Sequence, residues 1–315
     1  MQLTSNTRAF IEAEQYSGFI LMNLHDGLLG EQFYRNVSDF NSGDTLHIKT
    51  VGSVTIQDAA EDTPLTYSPI ESGEITFVLT DYIGDAWYVT DDVRDDGTDI
   101  DMLMAARASE STRAIQEHVE TRMFATAAAV YDGTAGPYAI NGFAHKIVSE
   151  HANGIFQLSH LIRMRLAFDK ANVPAEGRVF VADPVVEATL NGLVTITSDV
   201  TPFGANILAN GLARGMRVVG SLYGWDIVLS NRLAVVVSAN DGTTTEANAI
   251  ANMFFCVADD QCKPLMFAWR RMPRVEGERN KDRARDEFVT RSRFGWGVQR
   301  MDTLGVLYTH ATNIA

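Results

Sequence analysis

One long stretch without a helix breaker constrains the fold more than any other feature of the sequence. Residues 99–130 contain neither glycine nor proline, and apolar or small side chains recur there at intervals of three or four. That spacing is typical of the buried face of an α-helix. A capping-box pattern at 98–101 marks its start, and Asp-Gly at 132–133 marks its end. The sequence therefore predicts a continuous helix about 48 Å long, at ~1.5 Å per residue, which would cross a whole domain.

The composition is that of a globular protein with one large domain or two ordinary ones. Of the 315 residues, 46% are hydrophobic and 21% are charged, which excludes a largely disordered chain. The 40 acidic residues outnumber the 26 lysines and arginines, so the net charge is −14. Because phosphate contacts need a basic surface, this balance argues against a protein whose main task is to bind nucleic acid.

The sequence indicates neither membrane insertion nor secretion. No stretch approaches the ~20 apolar residues of a membrane span, and the first residues lack the pattern of a signal peptide. The two cysteines, Cys256 and Cys262, are too few for a disulfide framework or a multi-cysteine metal site. Cys256 stands in an apolar run, so we predict a buried, small apolar role for it. We expect a soluble protein in a reducing, intracellular environment.

Charge is distributed unevenly along the chain. Residues 58–101 carry 13 acidic side chains and one arginine, whereas residues 264–300 carry 10 basic and 5 acidic ones. Two interpretations remain open: both windows form solvated faces, or the acidic face of one copy meets the basic face of the next. A head-to-tail contact of the second kind builds closed rings or lattices, and complementary charge sets its register.

The acidic window includes most of a predicted β-hairpin over residues 44–79. Apolar and polar residues alternate at 46–56, with a turn at 52–53, and alternate again at 75–79. The segment 57–74 between them is polar and acidic and contains two prolines, which indicates an exposed loop. A two-stranded hairpin of this length cannot bury both faces by itself, so it needs a surface to lie on.

The remaining patterns predict an α+β protein with one dominant helix and much antiparallel sheet. An amphipathic stretch at 6–28 comes first. Asp183 and Pro184 are suited to open a helix, as its cap and its first-turn residue. The other predicted elements are a helix at 158–171, strands at 178–182, 216–220, 225–230, 233–238 and 253–258, and a strand-rich region at 264–309 around a charged loop at 276–287.

The sequence contains no motif for nucleotide binding, for a serine nucleophile or for a zinc protease. His145, Glu150 and His151 could surround a metal ion, although solvent-exposed loop histidines are the commoner explanation of such spacing. The acidic cluster at 91–97 does not fit an EF-hand, because Arg94 occupies a position that needs an oxygen ligand.

The basic segment 270–285 could hold a phosphate group, but its interspersed acidic residues favour ion pairs with protein. No constellation with a nameable catalytic geometry is visible, which argues mildly against an enzyme.

The order of these elements resembles that of the major capsid protein of tailed bacteriophages over nearly the whole chain. No single motif is diagnostic; the resemblance lies in the succession of an N-terminal arm, an acidic hairpin, a long capped helix and several short sequences. These are ITFVL at 75–79, YVTDD at 88–92, ANVP at 171–174, RVFVADP at 178–184, GSLYGWDIVLSN at 220–231 and FGWGVQRMD at 294–302.

The resemblance implies a division of the chain. It comprises an N-terminal arm (1–43), an extended β-hairpin or E-loop (44–79), a peripheral domain (80–153) with the spine helix 99–130, an axial domain (154–262), a return segment of the peripheral domain (263–300), and a final strand in the axial domain (301–315). In the family the E-loop reaches over a neighbouring subunit, which would give the hairpin its surface.

The resemblance also gives the charged windows a function at contacts between subunits. The acidic candidates are Asp58, Glu61, Asp62, Glu71 and Glu74. Their basic partners on neighbours would be Arg270, Arg271, Arg274, Arg279, Lys281, Arg283 and Arg285.

The implied function is that of a shell protein without catalysis, cofactor or metal. Hexamers and pentamers would tile an icosahedral head around double-stranded DNA, without sequence-specific binding to it. The expected partners are other copies of the chain, a separate scaffolding protein, a portal, and a decoration or cement protein. The expected location is the virion, after assembly in the host cytoplasm.

Three alternatives remain open at this stage. An encapsulin-like nanocompartment would use the same fold around an enzyme cargo. A decoration or tail protein would form trimers or rings without a closed shell. A metal-dependent α+β enzyme would use His145, Glu150 and His151.

Overall fold

The computed structural model describes residues 29, 31–37, 45–51, 56–59, 61–62, 67, 69, 72–96, 100–131, 136, 138–197 and 218–314. The predicted amphipathic stretch at 6–28, the turn at 52–53, Glu71 and the first two capping-box residues at 98–99 lie outside these ranges.

The described chain contains four α-helices and fifteen strands. The helices are α1 (Asp91–Asp96), α2 (Ile100–Ala129), α3 (Leu158–Lys170) and α4 (Pro184–Thr197). The strands are β1 (Tyr34–Asn36), β2 (Thr45–Val51), β3 (Ser72–Val78), β4 (Asp81–Thr90), β5 (Ala139–Ile140), β6 (Phe143–Ala144), β7 (Lys146–Val148), β8 (Arg178–Ala182), β9 (Val218–Leu222), β10 (Trp225–Leu229), β11 (Val235–Asn240), β12 (Thr245–Cys256), β13 (Leu265–Asn280), β14 (Arg285–Val298) and β15 (Leu304–His310).

The predicted long helix is present as α2. Its C-terminal half is the buried half: Ile115 is buried there, and Val119, Met123 and Phe124 enter the main core. This core also contains side chains from both large sheets, so α2 connects them. Past the end of the helix, the buried Tyr131 hydroxyl donates a hydrogen bond of 2.7 Å to the carbonyl of Leu304.

A four-stranded sheet has the order β1-β13-β14-β4, with β1 parallel to β13 and the other pairs antiparallel. The prediction of a charged loop at 276–287 is wrong, because β13 continues to Asn280 and β14 starts at Arg285. The ladder continues because Trp87 of β4 stacks on Phe288 of β14, with ring centroids 4.3 Å apart. At this end of the hairpin the β13 side chains are mostly exposed and those of β14 are half-buried, so the strands carry charge without an apolar alternation.

A seven-stranded sheet has the order β7-β15-β12-β8-β10-β9, with β11 paired to β12. All of β8 is buried, as its apolar run predicted. Phe180 of β8 stacks on Phe254 of β12 at 4.3 Å, and α3 covers this region with Leu161, Met164 and Phe168. The predicted cap of α4 is confirmed, since the amide of Val185 donates to Asp183 Oδ2 at 2.9 Å. Cys256 is fully buried at the end of β12, as predicted.

The predicted hairpin strands form a separate two-stranded sheet. β2 and β3 are antiparallel, in a register that runs from Thr45 opposite Val78 to Val51 opposite Ser72. The predicted strand alternation at Val54 and Ile56 is wrong for Ile56, which belongs to no strand and is 87% exposed. Among the described residues, the β2–β3 pairing ends at Val51 opposite Ser72, and Val54 lies outside them.

No helix in the described part of the chain is long and apolar enough to cross a membrane.

Candidate inter-subunit surfaces

The β2–β3 hairpin is amphipathic. Leu46 lies opposite Phe77 and Ile48 lies opposite Ile75, so these four apolar side chains share one face. At the base of the hairpin, Phe77 is fully buried in a small cluster with Met266 and Ala268 of β13 and lies close to Gly297 of β14. The hairpin therefore rests on its own four-stranded sheet at the base.

The distal part of the hairpin carries exposed acid groups. Asp58, Glu61 and Asp62 are all exposed, and none of them forms an ion pair with another described residue. Glu74 behaves differently, because its carboxylate contacts the His47 ring within the hairpin. Three of the five predicted acid residues are thus available at the far end of the projection, and Glu71 lies outside the described residues.

The four-stranded sheet has one face on α2 and one face away from it. Asp81 and Asp85 of β4 pair with Arg122 and Arg107 of α2, so these alternate positions point toward the helix. The intervening residues point the other way. The face opposite α2, called the outer face from here on, is where Tyr82 is 60% exposed and Tyr88 is 58% exposed.

Strand register brings arginines together on the outer face. Tyr82 of β4 lies opposite Arg293 of β14, which lies opposite Arg271 of β13. The next row contains Arg291 and Arg274. Directly opposite residues on antiparallel strands share a face, and like charges in that position destabilise the pairing. Two rows of arginines that lie opposite each other therefore make this part of the sheet positive, and repulsion between the like charges weakens the strand pairing there.

The outer face is covered at one end and open at the other. Near Gly295 and Gly297, it lies under Leu79 and Phe77 of the hairpin base. Further along β14, Arg291 is exposed and Arg293 is half-buried. Arg271 lies 3.8 Å from Glu276, an exposed pair of the kind that contributes little to stability. The uncovered part is thus both basic and aromatic.

Arg279 and Arg285, which belong to the predicted basic residues, make close contacts within the subunit. Arg279 donates to Asp91 of α1 at 2.6 Å and to Asp286 at 3.2 Å. This guanidinium lowers the pKa of the Asp91 carboxyl below its ordinary value. Arg285 lies over the Tyr88 ring, 4.3 Å from its centroid, and donates to Glu287 at 2.7 Å. These contacts hold the end of the β13–β14 hairpin against α1 and β4.

The other predicted basic residues are exposed. Arg270 and Arg271 precede an irregularity in the β13 ladder, and Lys281 and Arg283 lie in the turn between β13 and β14. In the part of the chain that the structure describes, Arg274 and Lys281 form no ion pair.

Sequence reasoning missed Tyr82, Tyr88, Arg291 and Arg293 as members of this surface. The signal was present in the spacing of two between Arg291 and Arg293, which places both on one face of a strand. The pairing of β14 with both β4 and β13, which brings the three strands into one surface, is set by long-range contacts that spacing does not show.

The hypothetical metal site is not assembled. His145 is fully buried, and its ring meets Phe168 edge-on at 5.5 Å. Burial lowers the pKa of His145, which favours the neutral ring. Glu150 is exposed and pairs with Arg163 at 2.8 Å. Among the described residues, no three His, Cys, Asp or Glu side chains are grouped closely enough to hold a metal ion.

Comparison with known proteins identifies the family. A family model described as phage capsid protein matches residues 73–309. Among solved structures, the chain is similar to the cyanophage Pam1 capsid protein (14% identity, 96% of this chain and 97% of that chain covered, TM-score 0.68). It is also similar to the capsid protein of cyanophage P-SCSP1u (20% identity, 97% and 94% covered, TM-score 0.66).

A third similar structure comes from Mycobacterium phage Che8 (17% identity, 94% and 97% covered, TM-score 0.65). A search of functionally curated proteins gives no match. The predicted α+β fold of a tailed-phage major capsid protein is confirmed. The chain belongs to the phage capsid protein family, and its function is that of a major capsid protein, the structural subunit of a phage shell.

Proposed function

We propose that the chain assembles as hexamers and pentamers into an icosahedral shell around double-stranded DNA, by laying the acidic hairpin of one subunit on the outer face of the next. The observation that supports this proposal most is the coexistence of both surfaces in one subunit. The hairpin presents Asp58, Glu61 and Asp62, which form no ion pair with another described residue, and the outer face presents opposed arginines. Two different patches that attract each other produce a head-to-tail contact, which closes into rings.

The charge arrangement favours this contact over a solvated face. Arg274 and Arg291 face each other across the strands, and an acidic partner would lower their mutual repulsion when it binds. Tyr82 and Tyr88 add apolar area with a polar tip, the side-chain type that is enriched at protein interfaces. Ile48 and Ile75 on the apolar hairpin face pack against the cluster at the base and are only partly buried. A neighbour would extend the contact by covering the area of these two side chains that remains exposed.

The same proposal assigns the chain segments. Residues 44–79 act as the E-loop, α2 is the spine helix of a peripheral domain that includes 263–300, and residues 154–262 with 301–315 form the axial domain around the capsomer centre. A scaffolding protein, a portal and a decoration or cement protein are the proposed partners, and assembly takes place in the host cytoplasm.

The proposed role involves no catalysis and no tight binding of DNA. With a net charge of −14, the subunit has little electrostatic attraction for phosphate. A shell of such subunits would allow DNA to enter and leave without a large binding barrier.

Charge reversal tests the proposed contact. One variant changes Asp58, Glu61 and Asp62 to lysine, and a second changes Arg271, Arg274 and Arg291 to glutamate. Electron microscopy of the purified chain, with and without a co-expressed candidate scaffold, should show shells or rings for the wild type and neither for each variant alone. Their combination in one chain should restore assembly, because the charges are complementary again.

A matched control separates this contact from general charge effects. Arg300→Glu reverses an exposed charge just outside β14 and should assemble like the wild type. Shells formed by either triple variant alone, or wild-type chains that stay monomeric with every scaffold, would contradict the proposal.

A further inference from the structure

Glu120 is a buried carboxylate that joins three parts of the chain. It lies on α2 and is 8% exposed. Its Oε1 atom accepts a hydrogen bond of 3.0 Å from the backbone amide of Leu29, which precedes β1 in the chain. Its Oε2 atom accepts one of 3.0 Å from Arg232 Nη1, in the connection between β10 and β11. Each oxygen therefore serves a different segment.

Arg232 completes a compact ion cluster. Its second terminal nitrogen, Nη2, donates to Glu117 Oε1 at 3.0 Å, one turn before Glu120 on the same helix. Arg113 Nε lies 3.5 Å from the same Glu117 oxygen. The Arg232 side chain is only 11% exposed. The groups that face Glu120 are thus the Leu29 amide, the Arg232 guanidinium and the Glu117 carboxylate.

Opposing effects act on the pKa of Glu120 in this cluster. Burial raises the pKa of Glu120, and the Leu29 amide and Arg232 oppose this by stabilising the charged form. A buried ion that loses an opposite charge beside it is strongly destabilised. Without Arg232, Glu120 would take up a proton or turn toward solvent, and either change weakens the acceptor that the Leu29 amide uses.

We propose that Glu120 couples the position of Leu29 to the position of the β10–β11 connection. Either contact favours the other, because both depend on the same buried, ionised carboxylate. The inference rests on the proposed function only for its use in a shell, where a neighbour that displaces Leu29 would also affect the seven-stranded sheet. The coupling itself is a property of one subunit.

Hydrogen–deuterium exchange on the unassembled subunit tests the coupling. Arg232→Met removes the charge and keeps a long side chain. Peptides that contain Leu29 should exchange at least fivefold faster than in the wild type, the lower limit of typical coupling between sites. Arg107→Met is the matched control. Arg107 lies on the same helix as Glu120, and the change breaks its 2.8 Å ion pair with Asp85 of β4 without touching Glu120. It should leave exchange at Leu29 unchanged.

Three results would overturn the proposal. They are unchanged exchange at Leu29 in Arg232→Met, an equal acceleration in Arg107→Met, and an acceleration confined to peptides from the β10–β11 connection. If Arg232→Met does not fold, Arg232→Lys replaces it. Lysine keeps the charge but lacks the fork that reaches both carboxylates, so we expect a smaller acceleration of exchange at Leu29. No acceleration at all in this variant would overturn the coupling. Failure of the wild type to form shells would contradict the proposed function and leave this test valid.

Discussion

The two large sheets of the subunit differ in the surroundings of their arginines. In the seven-stranded sheet, the buried Arg178 donates to the carbonyls of Val173 and Pro174 and pairs with the Asp169 carboxylate. In the four-stranded sheet, Arg271 faces Arg293 and Arg274 faces Arg291 across the strands. The arginine of the first sheet is thus paired inside the fold. In the second sheet, Arg274 and Arg291 lie exposed and directly opposite each other, and we propose this surface as a contact for a neighbouring subunit.

The largest expected effect comes from removing a buried aromatic ring from the seven-stranded sheet. Phe180 and Phe254 are fully buried and stacked at 4.3 Å. Phe254→Ala should lower the free energy of unfolding by about 3–5 kcal/mol, because it removes buried apolar area and leaves a cavity. Denaturant unfolding of the isolated subunit measures this loss. A decrease below about 1 kcal/mol would show that the sheet is less tightly packed than the structure indicates.

The next largest effect is a change of stability with pH that we expect near the seven-stranded sheet and not in the four-stranded sheet. Burial lowers the pKa of His160, on α3 beside the seven-stranded sheet, from 6.5 to about 4. Its Nδ1 atom accepts a hydrogen bond from the amide of Gln157, which protonation would remove. Between pH 6.5 and 4, the unfolded chain binds a proton at this residue that the native state does not. The free energy of unfolding should therefore fall as the pH drops through this window, by up to about 3 kcal/mol.

Two comparisons sharpen the pH experiment. His160→Gln should remove this part of the pH dependence in denaturant unfolding. The contact of Arg279 with Asp91 in the other sheet should persist through the same window, because Arg279 lowers the pKa of Asp91 below its ordinary 3.8. Hydrogen exchange should thus accelerate near α3 before it accelerates at the end of the β13–β14 hairpin. The reverse order would contradict this assignment.

The smallest effect on stability should accompany a large effect on assembly. Arg274→Ala removes one member of an opposed arginine pair, so the free energy of unfolding of the subunit should change by no more than about 0.5 kcal/mol. Shell yield, measured by sedimentation and electron microscopy, should nevertheless fall. Loss of subunit stability by several kcal/mol would mean that Arg274 serves its own fold instead.

Much of the fold could be predicted from local sequence, and the contact surface only in part. The long helix, the buried strand β8 and the cap at Asp183 follow from periodicity and end signals within a few residues. The charged loop at 276–287 was a wrong prediction because charge indicates exposure, and an exposed strand end held by Trp87 and Phe288 looks the same in sequence as a loop.

The candidate surface shows the same limit. Charge counts indicated an acidic and a basic window, but not which arginines have partners within the subunit. Arg279 is paired with Asp91, 188 positions away in the sequence. Tyr82 joins the surface because β4 pairs with β14. Both facts depend on long-range strand register, which no local pattern determines.

A cryo-electron microscopy reconstruction of the assembled shell, at a resolution that shows side chains, tests the central claim most directly. The account predicts that residues 44–79 of one subunit lie on the outer face of its neighbour, with acidic side chains of the hairpin against Arg271, Arg274, Arg291 and Arg293. An outer face open to solvent, or a hairpin that lies along its whole length on its own subunit, would contradict it.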